Sequence, residues 1–399
     1  MSTRSLIPVV LASLLAAQVG RAAFWSGPIA PLSTFGGGDG WLAPGEGGYA
    51  YLTTGNTERG LAYNPITGHL YLVSRANVGG DALNIRILDK NTGADLGGLN
   101  KGSGIITNGT FAINTVRVGE DGAIYVANLA SPVSGTAPYK VYRWANESAT
   151  PTVAVNTTTI TTGRMGDNFD VIGSGTSTLL LAGESNSSGS GNRNGYAVFS
   201  TSDGLNFTGT LVTFPLAPNP GGTSPGDFRL GITFTDSSHV IGTQTGSAGP
   251  PPTTAPRYTS FSGSTGTLLD TPVLSGSNLQ VIMDYTVING IPFLATQSTG
   301  DSTVRIWDFS NPSSPVLYAS GNNTTGTLTS NGNASGQMAW GDVAYDSGTQ
   351  TWSAKLWTMS SNQGIQAFIV TVPEPSSLML ATFGGLAFLA FLRRRRAAN

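Results

Sequence analysis

The sequence predicts an all-β fold, a β-propeller of six four-stranded blades, with a seven-bladed ring or a curled solenoid as the alternatives. Composition, a repeat of nearly constant length and the strand pattern inside each repeat lead there. The 399 residues include 54 Gly and 22 Pro, and only 11 % are charged. Long helices need an Ala/Glu/Lys/Leu-rich mixture that this chain lacks, whereas antiparallel meanders need the turn residues it has in abundance.

The repeat appears when short polar turns that precede alternating apolar residues are aligned. They are Glu58-Arg59-Gly60-Leu61, Asn114-Thr115-Val116-Arg117, Asp167-Asn168-Phe169-Asp170, Asp227-Phe228-Arg229-Leu230, Asp284-Tyr285-Thr286-Val287 and Asp342-Val343-Ala344-Tyr345. Their leading residues stand 56, 53, 60, 57 and 58 positions apart, which makes six units.

A second strand follows in each unit: His69 to Ser74, Ala123 to Asn128, Thr178 to Gly183, His239 to Gln244, Pro292 to Gln297 and Trp352 to Met359. A third comes after a polar loop: Asn84 to Leu88, Lys140 to Trp144, Gly195 to Ser200, Arg257 to Phe261, Thr303 to Phe309 and Gly364 to Val370. Tight turns such as Asp89-Lys90-Asn91-Thr92-Gly93 lead to a fourth. The last unit has only three strands, and Pro28 to Phe35, ahead of the first, is placed to supply the outer strand that closes the ring. Arg59-Gly60-Leu61-Ala62-Tyr63-Asn64-Pro65 through His69-Leu70-Tyr71-Leu72-Val73-Ser74-Arg75 resembles an uncharacterised propeller-like family of exported bacterial proteins, which implies no particular activity.

The two ends read as targeting segments. Arg4 gives a positive start, Leu6 to Val19 is largely apolar, and Ala22-Ala23 offers a cleavage site, so residues 1–23 are expected to be a signal peptide with a helical core. The passenger is then 24–371. Residues 372–399 hold Val372-Pro373-Glu374-Pro375-Ser376, a charge-free apolar stretch over 377–392, and Arg393, Arg394, Arg395 and Arg396. A helix over that stretch is about 24 Å long at 1.5 Å per residue, short of a ~30 Å hydrocarbon core, and arginine stems can close the gap by snorkelling. Basic residues stay cytoplasmic, which leaves the passenger outside the inner membrane.

These features in this order resemble the PEP-CTERM sorting signal of Gram-negative bacteria that make extracellular polysaccharide. The resemblance implies passage through the secretion machinery and cleavage near the motif by an exosortase, a membrane Cys transpeptidase. The same tail is sometimes called an ice-binding-protein C-terminal segment, but it is an address and implies no ice binding. An inner-membrane precursor, then a surface or matrix protein, is the expected course.

Setting aside the six arginines of the two terminal segments and Glu374, 14 basic and 21 acidic residues remain, a net charge near −7. That surface repels phosphate backbones and excludes nucleic acid as a partner. The absence of cysteine excludes disulfides, thiolate metal sites and Cys nucleophiles. His69 and His239 are the only histidines, each opening a second strand in a different unit, and no Gly-x-Ser-x-Gly or HExxH motif accompanies them. Gly36-Gly37-Gly38-Asp39-Gly40 has no following helix to make it a phosphate site.

The strongest constellation is the set of leading residues. In a propeller the inner strands all begin at one mouth, so Glu58, Asn114, Asp167, Asp227, Asp284 and Asp342 are expected to ring it. Oxygen ligands of this kind suit Ca²⁺. Arg59, Arg117 and Arg229 offer carboxylate or sugar contacts instead, and bracing of turns by the acids is the plainer alternative. Trp144 and Trp307 occupy corresponding third-strand positions and are expected to pack between blades. A noncatalytic binding or scaffold role, with extracellular polysaccharide a candidate ligand, leads over a propeller lyase or hydrolase working at the channel mouth.

Overall fold

A computed structural model of the chain describes residues 27–185, 194–215, 226–243, 255–275 and 280–373. The expected signal peptide, and the tail from Glu374 through the apolar stretch to Arg396, lie outside the described residues. No helix among the described residues is long and apolar enough to cross a membrane.

Three short strands come first, β1 (Gly27–Pro28), β2 (Ala30–Pro31) and β3 (Trp41–Leu42). The first blade is β4 (Glu58–Tyr63), β5 (His69–Ser74), β6 (Asn84–Asp89) and β7 (Asp95–Gly98). The second is β8 (Phe111–Val118), β9 (Ile124–Leu129), β10 (Tyr139–Trp144) and β11 (Thr152–Thr157). The third is β12 (Arg164–Ile172), β13 (Leu179–Ser185), β14 (Asn194–Thr201) and β15 (Phe207–Phe214), and the fourth β16 (Gly231–Asp236), β17 (His239–Thr243), β18 (Arg257–Ser262) and β19 (Thr265–Asp270). The fifth is β20 (Gln280–Ile288), β21 (Ile291–Ser298), β22 (Val304–Asp308) and β23 (Val316–Gly321), and the sixth β24 (Gly336–Asp346), β25 (Thr351–Ser360) and β26 (Gly364–Pro373).

Each blade is an antiparallel meander, and the third and fourth are joined at their outer edges by one parallel pair, Thr213 with Thr265. The first strands pack side by side in the order β4, β8, β12, β16, β20, β24, and β24 returns to β4. That closed succession makes the fold propeller-like.

The last blade is completed from the other end of the chain. Ala30 pairs with Ile369 and Pro31 with Phe368, while Leu42 pairs with Ile365 further along β26. The segment from Pro28 to Phe35 therefore contributes the outer strand, and β1 adds a parallel edge to the fifth sheet through Gly27 and Ala319. Pro31 is tolerated because an outermost strand leaves one row of N–H groups unpaired anyway.

The pattern in each strand follows its place in the blade. Second strands are covered on both faces by neighbouring blades, so Leu70-Tyr71-Leu72-Val73-Ser74 is buried throughout. The outer strand β15 is instead covered only over its second half, since on one of its faces Thr208 and Thr210 are exposed while Val212 and Phe214 are buried. Turns are set by Asx side chains. Asp89 accepts the N–H groups of Asn91 (2.9 Å) and Thr92 (2.8 Å), which bends the chain between β6 and β7.

The hydrophobic core is divided among the interfaces between successive blades. Tyr71, Val73 and Ile85 meet Val116, Val126 and Trp144 between the first and second. Leu61, Leu72 and Leu88 meet Trp357, Met359 and Ile365 between the first and sixth. Trp144 and Trp307 are each at most 1 % exposed, within these inter-blade cores. Their indole N–H groups are not left unpaired, since Trp144 donates to Asn100 O (2.6 Å) and Trp307 to Thr296 Oγ1 (3.0 Å).

Candidate functional site along the channel axis

Six inner strands bring polar side chains to a common axis, and there they are joined to one another. Gln337 on β24 receives the N–H of Val116 on its Oε1 (3.0 Å) and donates through Nε2 to Phe169 O (3.1 Å), so one amide links the sixth blade with the second and third. It fits because residue 60 is glycine. A Cβ there would stand 2.7 Å from Val116 N and 2.8 Å from Gln337 Oε1. Close backbone approach is what requires glycine at this point.

Arg117 crosses the same space from β8. Its Nε lies 3.0 Å from Asp170 Oδ1 and donates to Phe169 O (3.3 Å), its Nη1 donates to Met338 O, and its Nη2 lies 3.9 Å from Asp284 Oδ1. Asp170 accepts in turn from Phe234 N (2.8 Å) and Thr233 Oγ1 (3.1 Å), and Asp284 accepts from Trp340 N (3.1 Å). Burial pushes the Asp284 carboxyl up to about 6, Arg117 opposing the rise and Asp170 adding to it. The channel at this height is filled by a network that ties blades together.

The six leading residues do not form one ring. Glu58, Asn114, Asp167 and Asp227 lie toward the end where the inner strands begin, here called the upper mouth. Asp284 is midway along β20 beside Arg117, and Asp342 lies past the middle of β24, level with Tyr63 at the end of β4. Glu58 accepts from Thr53 N (2.6 Å), Thr53 Oγ1 (3.2 Å) and Thr57 Oγ1 (3.0 Å). Asn114 donates to Gly166 O (2.7 Å) in the next blade. Asp227 is paired with Arg257 (3.1 Å).

Asp342 joins Lys90 (2.7 Å), Lys355 (2.9 Å) and the Tyr63 hydroxyl (2.5 Å) at the lower mouth. Burial would raise its pKa, but these three donors outweigh that and hold it down to about 2. Among the described residues no three carboxylate or histidine side chains gather as a metal-binding group. Oxygens engaged by arginine, lysine, hydroxyl and backbone donors are those of the bracing alternative rather than of the open oxygen cage calcium needs.

At the upper mouth the sequence reading missed two arginines, Arg75 and Arg164, because they stand outside the repeated turn. Arg164 grips Asp167 with Nε (2.5 Å) and Nη2 (2.6 Å), and Arg229 reaches the same carboxylate at 3.1 Å. Arg59 and Arg75 both donate to Asn56 O, at 3.0 and 3.5 Å, and Arg59 also bonds Ser335. Arg75 lies over the Phe111 ring, 3.6 Å from its centre. Burial lowers Arg75 to about 9, and repulsion from Arg59 and Arg164 lowers it further than Asp167 restores.

The histidines do not build a hydrolase. His69 and His239 belong to different blades, near Glu147 (2.7 Å) and Asp236 (2.9 Å). Ser238 and Asp236 both contact Nδ1 of His239, whereas a relay needs acid and nucleophile on opposite ring nitrogens.

Fold and tail together define an all-β, propeller-like protein with a PEP-CTERM protein-sorting motif, matched over residues 371–396. Residues 48–207 match the domain of unknown function DUF4623. No curated protein matches the chain. Among solved structures, a DUF4623 family protein from Bacteroides eggerthii is similar at 13 % identity, over 80 % of this chain and 71 % of that one, with a TM-score of 0.56. A Hadza microbial sialidase is similar at 12 % identity over 78 % and 65 % of the chains, TM-score 0.49. The fungal lectin of Aleuria aurantia, described as a six-bladed β-propeller with a fucose recognition mode, is similar at 13 % identity over 80 % and 97 %, TM-score 0.42. At 13 % identity the likeness to the DUF4623 family protein is one of fold. The sorting motif implies export, a membrane-anchored precursor and processing by an exosortase.

Proposed function

We propose that the protein is an exported surface or matrix-associated protein of a Gram-negative bacterium, whose six-bladed passenger has a noncatalytic binding or scaffold role. The tail is the anchor of the precursor, with the stretch over 377–392 in the inner membrane and Arg393 to Arg396 in the cytoplasm. An exosortase-like transpeptidase then frees the passenger.

The filled axis is the observation that carries the noncatalytic reading. A propeller enzyme working at the channel needs open space and an acid or base with a free face. Here Asp170 and Arg117 pair with each other and with backbone groups, and Asp284 and Gln337 bond backbone groups, while Arg117 Nη2, 3.9 Å from Asp284, makes no hydrogen bond among the described residues. Sorting is supported by the way motif and fold meet. Val372 pairs with Trp352 and Pro373 with Thr351, so the motif continues straight from the last strand of β26 and Glu374 follows at once. Fractionation of a producing strain tests the proposal: the passenger should leave the inner membrane with its C-terminus removed and should not depolymerise acidic or neutral polysaccharides. Release of oligosaccharide by the purified protein would overturn the noncatalytic part.

A further inference from the structure

We infer that the upper mouth of the channel is a binding site for carboxylate groups, formed by Arg59, Arg75, Arg164 and Arg229. The inference rests on the noncatalytic binding reading and adds the chemistry of the ligand.

Four arginines from the first, third and fourth blades gather around one carboxylate. Asp167 serves both Arg164 and Arg229, while Arg59 and Arg75 have only a shared backbone carbonyl and Ser335. Glu58 accepts hydrogen bonds from Thr53 and Thr57 and acts on Arg59 only through its charge, and Asp227 is paired with Arg257. Two buried N–H groups, Arg59 Nε and Arg75 Nη1, find no acceptor among the described residues. A buried donor without a partner is costly, and a cationic one more so.

The internal stretches 186–193, 216–225, 244–254 and 276–279, which lie outside the described residues, contain no aspartate or glutamate. Burial lowers both Arg59 and Arg75, and at Arg75 repulsion from Arg59 and Arg164 adds to it. A carboxylate fits, as Asp167 already does under Arg164, because the planar guanidinium presents paired donors that match two oxygens. Phe111 beneath Arg75 is 44 % exposed and holds that guanidinium plane against its ring. In a passenger whose net charge is near −7 a polyanion is repelled elsewhere and focused here.

The carboxylate can come from a small free acid or from the uronate residues of a glycan, and calorimetry on the full chain in detergent micelles separates them. Trigalacturonate should bind, weaken as salt is raised, and bind roughly tenfold more weakly to Arg75→Gln. Galactotriose, its neutral counterpart, should give no heat. Citrate binding without trigalacturonate binding supports the site and assigns it to small acids. Phosphate binding as tight as that of either carboxylate would overturn the assignment. So would silence from the folded protein with both carboxylates, or unchanged affinity in folded Arg75→Gln and Arg229→Gln alike, the latter a partly exposed position. If trigalacturonate were bound and cleaved, the site would stand and the noncatalytic reading would fall.

Discussion

Arg117 and Asp284 face each other across the channel from the second and fifth blades, Nη2 to Oδ1 3.9 Å, while Asp170 takes the closer position at 3.0 Å. One guanidinium thus answers to two carboxylates, and the more distant of them is the one that burial makes hard to ionise.

This sets a direction for stability against pH. The Asp284 carboxyl titrates near 6 in the fold and near ~3.9 in an unfolded chain, so between those values the folded state holds the extra proton. Its contribution therefore favours folding below about pH 4 and is lost as pH rises through about 6. Replacing it with asparagine should remove that loss. Relative to the parent, Asp284→Asn should gain on the order of 2 kcal/mol between about pH 4 and about pH 8 in urea melts. A difference between the two proteins that is constant with pH would refute this.

Asp342 should behave in the opposite sense. Its pKa is held at about 2 by Lys90, Tyr63 and Lys355, so its contribution is present above ~3.9 and disappears as pH falls through about 2. Asp342→Asn leaves two lysines beside an aromatic hydroxyl without their carboxylate. A loss of about 2 kcal/mol at neutral pH, shrinking as acid is added, is the expected result in the same melts.

The contrast between these two aspartates also explains what the sequence could and could not tell. Strands were readable: His69 to Ser74 coincides with β5, and Gly364 to Val370 lies within β26. Apolar alternation survives in the sequence because each strand packs against its neighbours over its whole length. The height of a side chain along the axis was not readable. Irregular pairing interrupts β4 between Glu58 and Gly60, β8 between Phe111 and Thr115, β12 between Met165 and Phe169, and β24 between Gly341 and Ala344. Each bulge adds residues without adding equal length, so equal spacing in sequence does not mean equal level in the channel. Asp342 sits in such a bulge with φ at +50°, and Gln337, five residues earlier, is the β24 side chain that meets the second and third blades.

Gly60 offers a test of the axial packing. Alanine there meets backbone on one side, Val116 N at 2.7 Å and Thr115 Cα at 3.0 Å, as well as the Gln337 amide. Gly60→Ala should cost about 1–3 kcal/mol, as overpacking does. Because backbone atoms cannot yield as a side chain can, adding Gln337→Ala should not restore the parent stability. Full recovery in the double variant would show that the amide alone sets the requirement.

Closure by the N-terminal segment makes a prediction about cooperativity. β2 and β3 both pair with β26, and Trp41 donates its indole N–H to Gln363 O (2.7 Å). Phe368, Ile365 and Ala367 are buried, beneath or beside these strands. Removing residues 27–42 should expose that edge and open the ring between the first and sixth blades, so the single unfolding transition of the parent should become broader and start earlier. An unaltered, sharp transition would mean that the segment is dispensable.

Sorting should depend on the motif rather than on the propeller. Alanine at Pro373, Glu374 and Pro375 together should leave the protein uncleaved in the inner membrane, read as retention of a C-terminal epitope in that fraction. One of these residues also belongs to the fold, since Pro373 pairs with Thr351 at the end of β26. Proline ends that strand because it has no N–H to extend the ladder, and alanine there could lengthen the pairing toward the motif. The variant with only Glu374→Ala and Pro375→Ala leaves the strand untouched and separates the two effects. If this double variant is retained as fully as the triple one, recognition of the motif is what was lost. Normal release of the passenger from both would refute the sorting assignment, whereas release from the double variant alone would trace the defect to the end of β26.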